Sequence, residues 1–222
     1  YRLGCKRVLL SDDYLPALTQ PNVEVVTDGI REITARGVVA TDGTVREVDA
    51  IIFGTGFHVT DQPIAKLVFG REGRSLTDVW QGSPQAYLGT TVSGFPNLFF
   101  LQGPNTGLGH TSVIVMIEAQ IDHTLDALSA MKRRGARAIE PRAEAQAAFV
   151  REMDARMEGS VWTTGGCASW YLDETGRNST LWPGFATSFR LRAKRFVEKD
   201  FVFTTPAATQ VTGGWVTAPA ST

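Results

Sequence analysis

The stretch Leu98-Phe99-Phe100-Leu101-Gln102-Gly103-Pro104-Asn105-Thr106-Gly107-Leu108-Gly109-His110-Thr111-Ser112 decides how this chain is read. Four consecutive apolar residues, Leu98 to Leu101, suggest a strand buried on both faces. A glycine-rich loop follows, and then a long helical pattern. Ile114, Ile117, Ile121, Leu125 and Leu128 recur at three- and four-residue spacing, one face of a 3.6-residue period. Thr111 or Ser112 is placed to cap the start of that helix. Lys132-Arg133-Arg134 and then Gly135 end it, with positive charge at the negative pole and a glycine free to turn left-handed. Strand, glycine loop and helix N-terminus together form a site type. The N-terminus carries about half a positive charge and unpaired N–H groups, and glycines let a planar or anionic ligand approach them. A flexible connection that touches nothing is the bland alternative.

A second constellation lies upstream. Asp49-Ala50-Ile51-Ile52-Phe53 reads as a central buried strand, and Gly54-Thr55-Gly56-Phe57 leaves it. Ligands of α/β sheets bind at such strand ends, and glycine there removes the Cβ that would hold a ligand away. A tight strand exit with no ligand is equally compatible with the pattern. Around this run the segment 1–60 is β-rich. Candidate strands are Val23 to Val26, Ile30 to Thr34, Gly37 to Ala40 and Val45 to Val48, with Asp42-Gly43 as a hairpin signal.

Downstream, Ser75 to Gln81 suggests a short helix and Gly94-Phe95-Pro96-Asn97 a turn. A second helix over about 143–157 places Phe149, Met153 and Met157 on one face, with Gly159 as its stop. Residues 160–190 are aromatic and turn-rich. The apolar–basic alternation from Phe189 to Phe196 suggests a late strand or edge element. Residues 204–222 hold Thr, Ala, Pro and Gly with almost no charge and read as a disordered tail.

Composition narrows the function classes. Over 222 residues, 22 Lys+Arg against 23 Asp+Glu leave a net charge of −1, so no strong field attracts nucleic acid or an acidic membrane. No run approaches the roughly 18 apolar residues of a spanning helix. The chain opens on Tyr1 and runs at once into Lys6-Arg7-Val8-Leu9-Leu10, without a signal-peptide pattern, and reads as the later part of a larger protein. Two cysteines, Cys5 and Cys167, fit a reducing compartment, the cytoplasm. His58, His110 and His123 have no metal-ligand spacing, and no metal is expected. No Gly-x-Ser-x-Gly elbow or P-loop lysine is present. Nor do Gly107 and Gly109 start a Gly-x-Gly-x-x-Gly, because position 112 is Ser112. His110, beside the loop, is the one histidine that qualifies as a site candidate. Arg7 reads either as a solvated surface charge or as a permanent cation aimed at a developing anion.

Taken in order, several stretches resemble the class B flavoprotein monooxygenases of the Baeyer–Villiger branch. They are Gly4-Cys5-Lys6-Arg7-Val8-Leu9 with Asp13-Tyr14, Asp49 to Phe57, Gly103 to His110, Ile117-Glu118-Ala119-Gln120, Cys167-Ala168-Ser169-Trp170-Tyr171 and Asn178-Ser179-Thr180-Leu181-Trp182-Pro183-Gly184. The resemblance covers about residues 1–203 and is to the family's C-terminal part. It implies an enzyme using FAD, NADPH and O2 to insert one oxygen atom beside a ketone carbonyl, or onto nitrogen or sulfur of a small organic substrate. Arg7 matches the arginine that stabilises the anionic oxygen adduct. Thr55, Gly56 and Phe57 match the return from the NADPH domain. Gly103, Pro104, Asn105, Thr106, His110, Thr111, Ser112 and Val113 match the stretch that meets the flavin ring. The family's two Gly-x-Gly-x-x-Gly motifs and its Phe-x-Gly-x-x-x-His-x-x-x-Trp-Pro fingerprint are absent. Gly54 also stands where alanine is usual.

The expected fold is therefore α/β, an incomplete two-dinucleotide-binding (FAD/NAD(P)) flavoprotein fold, C-terminal part. Residues 1–57 would end the NADPH domain with β-hairpins and a return strand, and 58–203 would supply the C-terminal part of the FAD domain. The expected partner is the missing N-terminal portion of the same enzyme. Two alternatives stay open: another FAD/NAD(P) oxidoreductase such as a reductase, and a truncated non-catalytic remnant.

Overall fold

The computed structural model describes residues 6–7, 9–56, 59–166 and 169–205. Phe57, His58, Cys5, Cys167 and the tail 206–222 lie outside the described residues. The chain divides into two compact units. One is 8–58, and the other is 59 onward together with 1–7.

The unit 8–58 begins with one turn of helix, α1 (Tyr14–Leu18), and continues into a three-stranded antiparallel meander. Its strands are β1 (Ile30–Thr34), β2 (Gly37–Ala40) and β3 (Val45–Glu47). Asp42-Gly43 forms the expected turn. The Asp42 carboxylate accepts from the Thr44 backbone N–H at 2.8 Å and its hydroxyl at 2.9 Å, and Gly43 takes a φ of 88°. At Gly37 a Cβ would come within 2.0 Å of the Arg46 carbonyl oxygen, so β2 and β3 close together only on glycine. Two expected strands do not form. Val23 to Val26 pairs with no strand, and Asp49 to Phe53 is neither a strand nor buried, with Ile52 95% and Phe53 70% exposed. The apolar run requires sheet neighbours on both edges, and no described strand lies alongside it.

In the larger unit, α2 (Leu76–Trp80) starts on the capping box that Ser75 and Asp78 make together, placing Leu76 and Trp80 in a local core with Val92 and Phe95. Leu98 to Leu101 is not a strand. Leu98 to Phe100 are half-buried and Leu101 is exposed, with the Phe100 N–H on the Thr90 carbonyl at 2.7 Å. The long helix α3 (Ile114–Arg134) ends as expected on Gly135, left-handed at φ 60°. Its buried face, however, is not the one the isoleucine–leucine spacing indicates. Met116, Ala119, Gln120, His123, Ala127 and Ala130 are buried, while Ile114, Ile121, Leu125 and Leu128 are exposed. Small residues on the buried face allow close packing against α6 (Ala186–Ala193).

Between them β4 (Ala138–Pro141) leads into α4 (Ala143–Met157), whose Phe149, Val150, Met153 and Met157 are buried as the spacing indicates. The one-turn α5 (Val161–Thr164) follows. The segment from Phe189, expected as a strand, is helical to Ala193. Ala186, Phe189 and Ala193 face the core at helical spacing and Leu191 is 75% exposed, so the alternation with arginine marks solvent-facing positions of a helix. The last strand, β5 (Phe201–Thr204), pairs antiparallel with β4, Pro141 opposite Phe201 and Ala138 opposite Thr204. Thr204, assigned to the tail by composition, thus ends a strand. Tyr87 joins this core edge-on to Phe149 and Phe201, and its hydroxyl donates to Asp200 at 2.7 Å. Burial first, and then the neighbouring carboxylate, push that phenol well above its ordinary range.

Candidate functional site

The glycine loop is fastened to a second loop by backbone pairing. The Asn105 N–H donates to the Ser179 carbonyl at 2.8 Å and the Gly107 N–H to Thr180 at 2.8 Å, while the Trp182 N–H returns to the Gly107 carbonyl at 2.9 Å. Gly107 and Leu181 thereby form a parallel bridge. Glycine is required for this approach. A Cβ on Gly103 would lie 2.3 Å from the Gly89 carbonyl oxygen, and one on Gly109 would lie 2.7 Å from the Trp162 ring.

Asn105 locks the pairing. It is 2% exposed and left-handed at φ 56°. Its amide donates to the carbonyls of Asn178 at 2.9 Å and Leu181 at 3.1 Å and accepts from Arg177 at 2.8 Å. Arg177 is a hub, with its other nitrogens on Asp154 at 2.6 Å and on the Pro84 carbonyl at 2.9 Å. Asp173 shapes the turn that presents it, accepting from the N–H groups of Thr175 and Arg177 and from the Ser83 hydroxyl. Gln120 of α3 braces the loop from the other side. It accepts from the Gln102 N–H at 2.7 Å and donates to the Gly89 carbonyl at 2.9 Å.

The expected cofactor residues therefore fall into two groups. Gly103, Pro104, Asn105 and Thr106 are buried, and the side chains of Asn105 and Thr106 are committed within the fold, Thr106 donating to the Gly103 carbonyl at 2.6 Å. These residues build the frame. His110, Thr111 and Ser112 are exposed and Val113 half-buried, at the mouth of α3, where first-turn N–H groups have no helical partner. Ser112 takes one of them, its Oγ accepting from the Ile114 N–H at 3.2 Å. Beside the loop lies a cavity of about 200 Å³, lined by Gln102, Gly103, Pro104, Gly107, Ser179 and Thr180 among others.

Arg7 is exposed, and its positive charge reaches the buried Tyr171 phenol. Burial raises that phenol above its ordinary value, and the charge on Arg7 acts in the opposite sense. Thr55 and Gly56 belong to the unit 8–58 and are exposed. Gly56 has a φ of 89°, and a Cβ there would meet open space. Among the described residues no group of three His, Cys, Asp or Glu side chains could hold a metal ion, and no helix is long and apolar enough to cross a membrane. His123, at 1% exposure, donates from Nδ1 to the Ala193 carbonyl, 2.9 Å away, and burial lowers its pKa. Arg177, the bracing role of Gln120 and the clasping role of Asn178 to Leu181 escape the sequence reading.

No protein-family model matches the chain. Over 206 residues, however, it is 52% identical to a "Baeyer-Villiger monooxygenase" of Pseudomonas aeruginosa, covering 92% of this chain and 39% of that protein. Over nearly its whole length the chain is therefore similar to part of a Baeyer–Villiger monooxygenase. A protein of the same name from Streptomyces coelicolor is 49% identical, covering 95% of this chain and 41% of its own length. Among solved structures, the OTEMO complex with FAD and NADP superposes with a TM-score of 0.77 at 27% identity, over 90% of this chain and 38% of that one. The chain thus spans about two fifths of the length of the relatives it matches, and its fold is part of an α/β flavoprotein fold.

Proposed function

We propose that this chain is the C-terminal portion of an FAD- and NADPH-dependent monooxygenase that inserts one atom of O2 beside a ketone carbonyl or onto nitrogen or sulfur. The observation that carries the reading is the clasped loop ending at the exposed N-terminus of α3, in a chain half identical to Baeyer–Villiger enzymes. The residues present fit one edge of a flavin. A ring carbonyl or nitrogen that gathers negative charge suits the N–H groups at Ser112 and Val113 and the positive end of the helix. Thr111 and His110 stand exposed at the same mouth. The buried Gly103–Thr106 segment holds that mouth in place, and Arg177 and Gln120 keep it from collapsing when water leaves.

Bound FAD would supply the reducing electrons and the oxygen activation, with NADPH as the hydride source. This chain's residues would orient the ring edge, exclude water and place charge. Arg7 is assigned the cationic role. A guanidinium stays protonated at any working pH and stabilises an anion without giving up a proton. Thr55, Gly56 and Phe57 are assigned to the return from the NADPH side. The pyrophosphate-binding glycine motifs would come from the rest of the enzyme, its covalent partner, and a cytoplasmic location is part of the same proposal.

The test is Arg7→Ala in the complete enzyme, followed by stopped-flow absorbance and product analysis. Flavin reduction by NADPH should persist while oxygenated product falls at least about tenfold, about 1.4 kcal/mol in the barrier. Unchanged product yield would remove Arg7 from the chemistry.

A further inference from the structure

A second cavity, about 260 Å³, opens on the other side of the clasp, between Gly109-His110, the end of α4 and the Trp182–Phe185 turn. Its walls are aromatic and aliphatic: Trp162, Trp182, Phe185, Met157 and Leu181. Arg156 is the one charged residue among those lining it. Its guanidinium lies over the Trp182 ring, 5.3 Å from the centroid, and Nη2 donates to the Pro183 carbonyl at 3.2 Å. The nearest carboxylate, Glu152, stands 3.5 Å away, but Arg192 already holds both oxygens of that group, at 2.6 and 2.7 Å. The charge on Arg156 is therefore shared rather than cancelled, and its side chain remains 39% exposed.

His110 forms a wall and does not compete for this role. Its ring stacks on Phe185 at 5.8 Å, and Nε2 sits 3.2 Å from the Gly184 carbonyl, which fixes the ring proton on that nitrogen. A pocket with an apolar body and one under-compensated guanidinium at its edge matches a particular ligand class. The planar fork pairs bidentately with a carboxylate, and the rings cover an apolar or aromatic remainder.

We propose that this cleft binds an organic carboxylate with an apolar or aromatic body. Taken with the oxygenase reading, on which this last step rests, it makes the substrate class a keto acid.

The probes are 3-benzoylpropionate and its methyl ester, titrated into the 222-residue chain by calorimetry and by tryptophan fluorescence. The acid should bind saturably and at least about tenfold more tightly than the ester, as a charge-assisted pair requires. Arg156→Gln should bring the acid down to the affinity of the ester and leave the ester unchanged. Arg156→Lys, which keeps the charge without the fork, should fall between. Thermal unfolding of each variant checks its fold. Equal affinity of acid and ester for the wild-type chain overturns the proposal without any variant. Unaltered acid binding in Arg156→Gln, or no saturable binding at millimolar acid, overturns it as well. Saturable, Arg156-dependent binding together with an assembled enzyme that makes no oxygenated product would uphold the carboxylate site and sink only the oxygenase reading.

Discussion

Replacing Asn105 separates two contributions that the structure superimposes at one residue. Asn105→Gly removes the amide while keeping a residue at ease at φ 56°. It strips the carbonyls of Asn178 and Leu181 of a donor and one Arg177 nitrogen of its acceptor, all in a buried site. A buried polar group left without its partner costs about 1–3 kcal/mol. Arg177 keeps Asp154 and Pro84, and water can enter the space vacated, so the expected loss is about 3 kcal/mol. Asn105→Ala loses the same bonds and forces a Cβ into the left-handed region, adding about 1 kcal/mol. Against a typical total of about 5–15 kcal/mol, both losses are large. Urea denaturation followed by tryptophan fluorescence should show the midpoint falling by about 1 M or more at unchanged slope. The alanine variant should be the weaker of the two. A loss below about 1 kcal/mol for alanine would refute the account of the clasp, as would glycine proving worse than alanine.

Three further outcomes follow from the same geometry. Met116→Ala, at a fully buried position of α3, should cost about 2–5 kcal/mol, whereas Leu125→Asp on the exposed face should change the stability of this chain by no more than about 0.5 kcal/mol; the reverse order in thermal melts would put the core on the other face. His123 binds a proton less readily in the folded chain than its ordinary pKa of 6.5, so protonation favours unfolding; stability should be full above that value and fall as pH drops below it, by up to about 1.4 kcal/mol per pH unit. Urea midpoints measured from pH 7.5 to 5.5 should show this slope in the wild type and a shallower one in His123→Leu; identical slopes would assign the effect elsewhere. Tyr87→Phe should cost about 1 kcal/mol by removing the donor to Asp200, and denaturation midpoints that match wild type would show that bond to be idle.

Local chemistry was legible in the sequence wherever a single segment decides its own form. The Asp42-Gly43 hairpin, the short helix that starts at Ser75 and the Gly135 stop of α3 follow from residues a few positions apart. So does the Phe149, Met153, Met157 face of α4. What was not legible depends on partners. Asp49 to Phe53 has strand composition, but a strand needs a neighbour to pair with. On α3 the larger apolar residues mark one face and the smaller ones another. The smaller ones are buried because α6 approaches closely there, a fact of packing that periodicity does not contain. Arg177 is an ordinary arginine in the sequence and gains its role only because the fold brings Pro84, Asn105 and Asp154 around it. The glycine loop was singled out as a ligand site, and in the fold half of it is frame. Asn105 and Thr106 spend their side chains inside the fold, leaving the mouth of α3 as the accessible part.

The most direct test joins this chain behind the N-terminal portion of the Pseudomonas aeruginosa relative and supplies FAD, NADPH, 18O2 and, in separate reactions, a ketone, an amine and a sulfide. The account predicts bound flavin, NADPH consumption and one labelled oxygen atom in each product molecule. A fusion that folds, binds flavin and oxidises NADPH, yet leaves the ketone, amine and sulfide substrates unlabelled, would contradict the proposal that this chain completes a monooxygenase site.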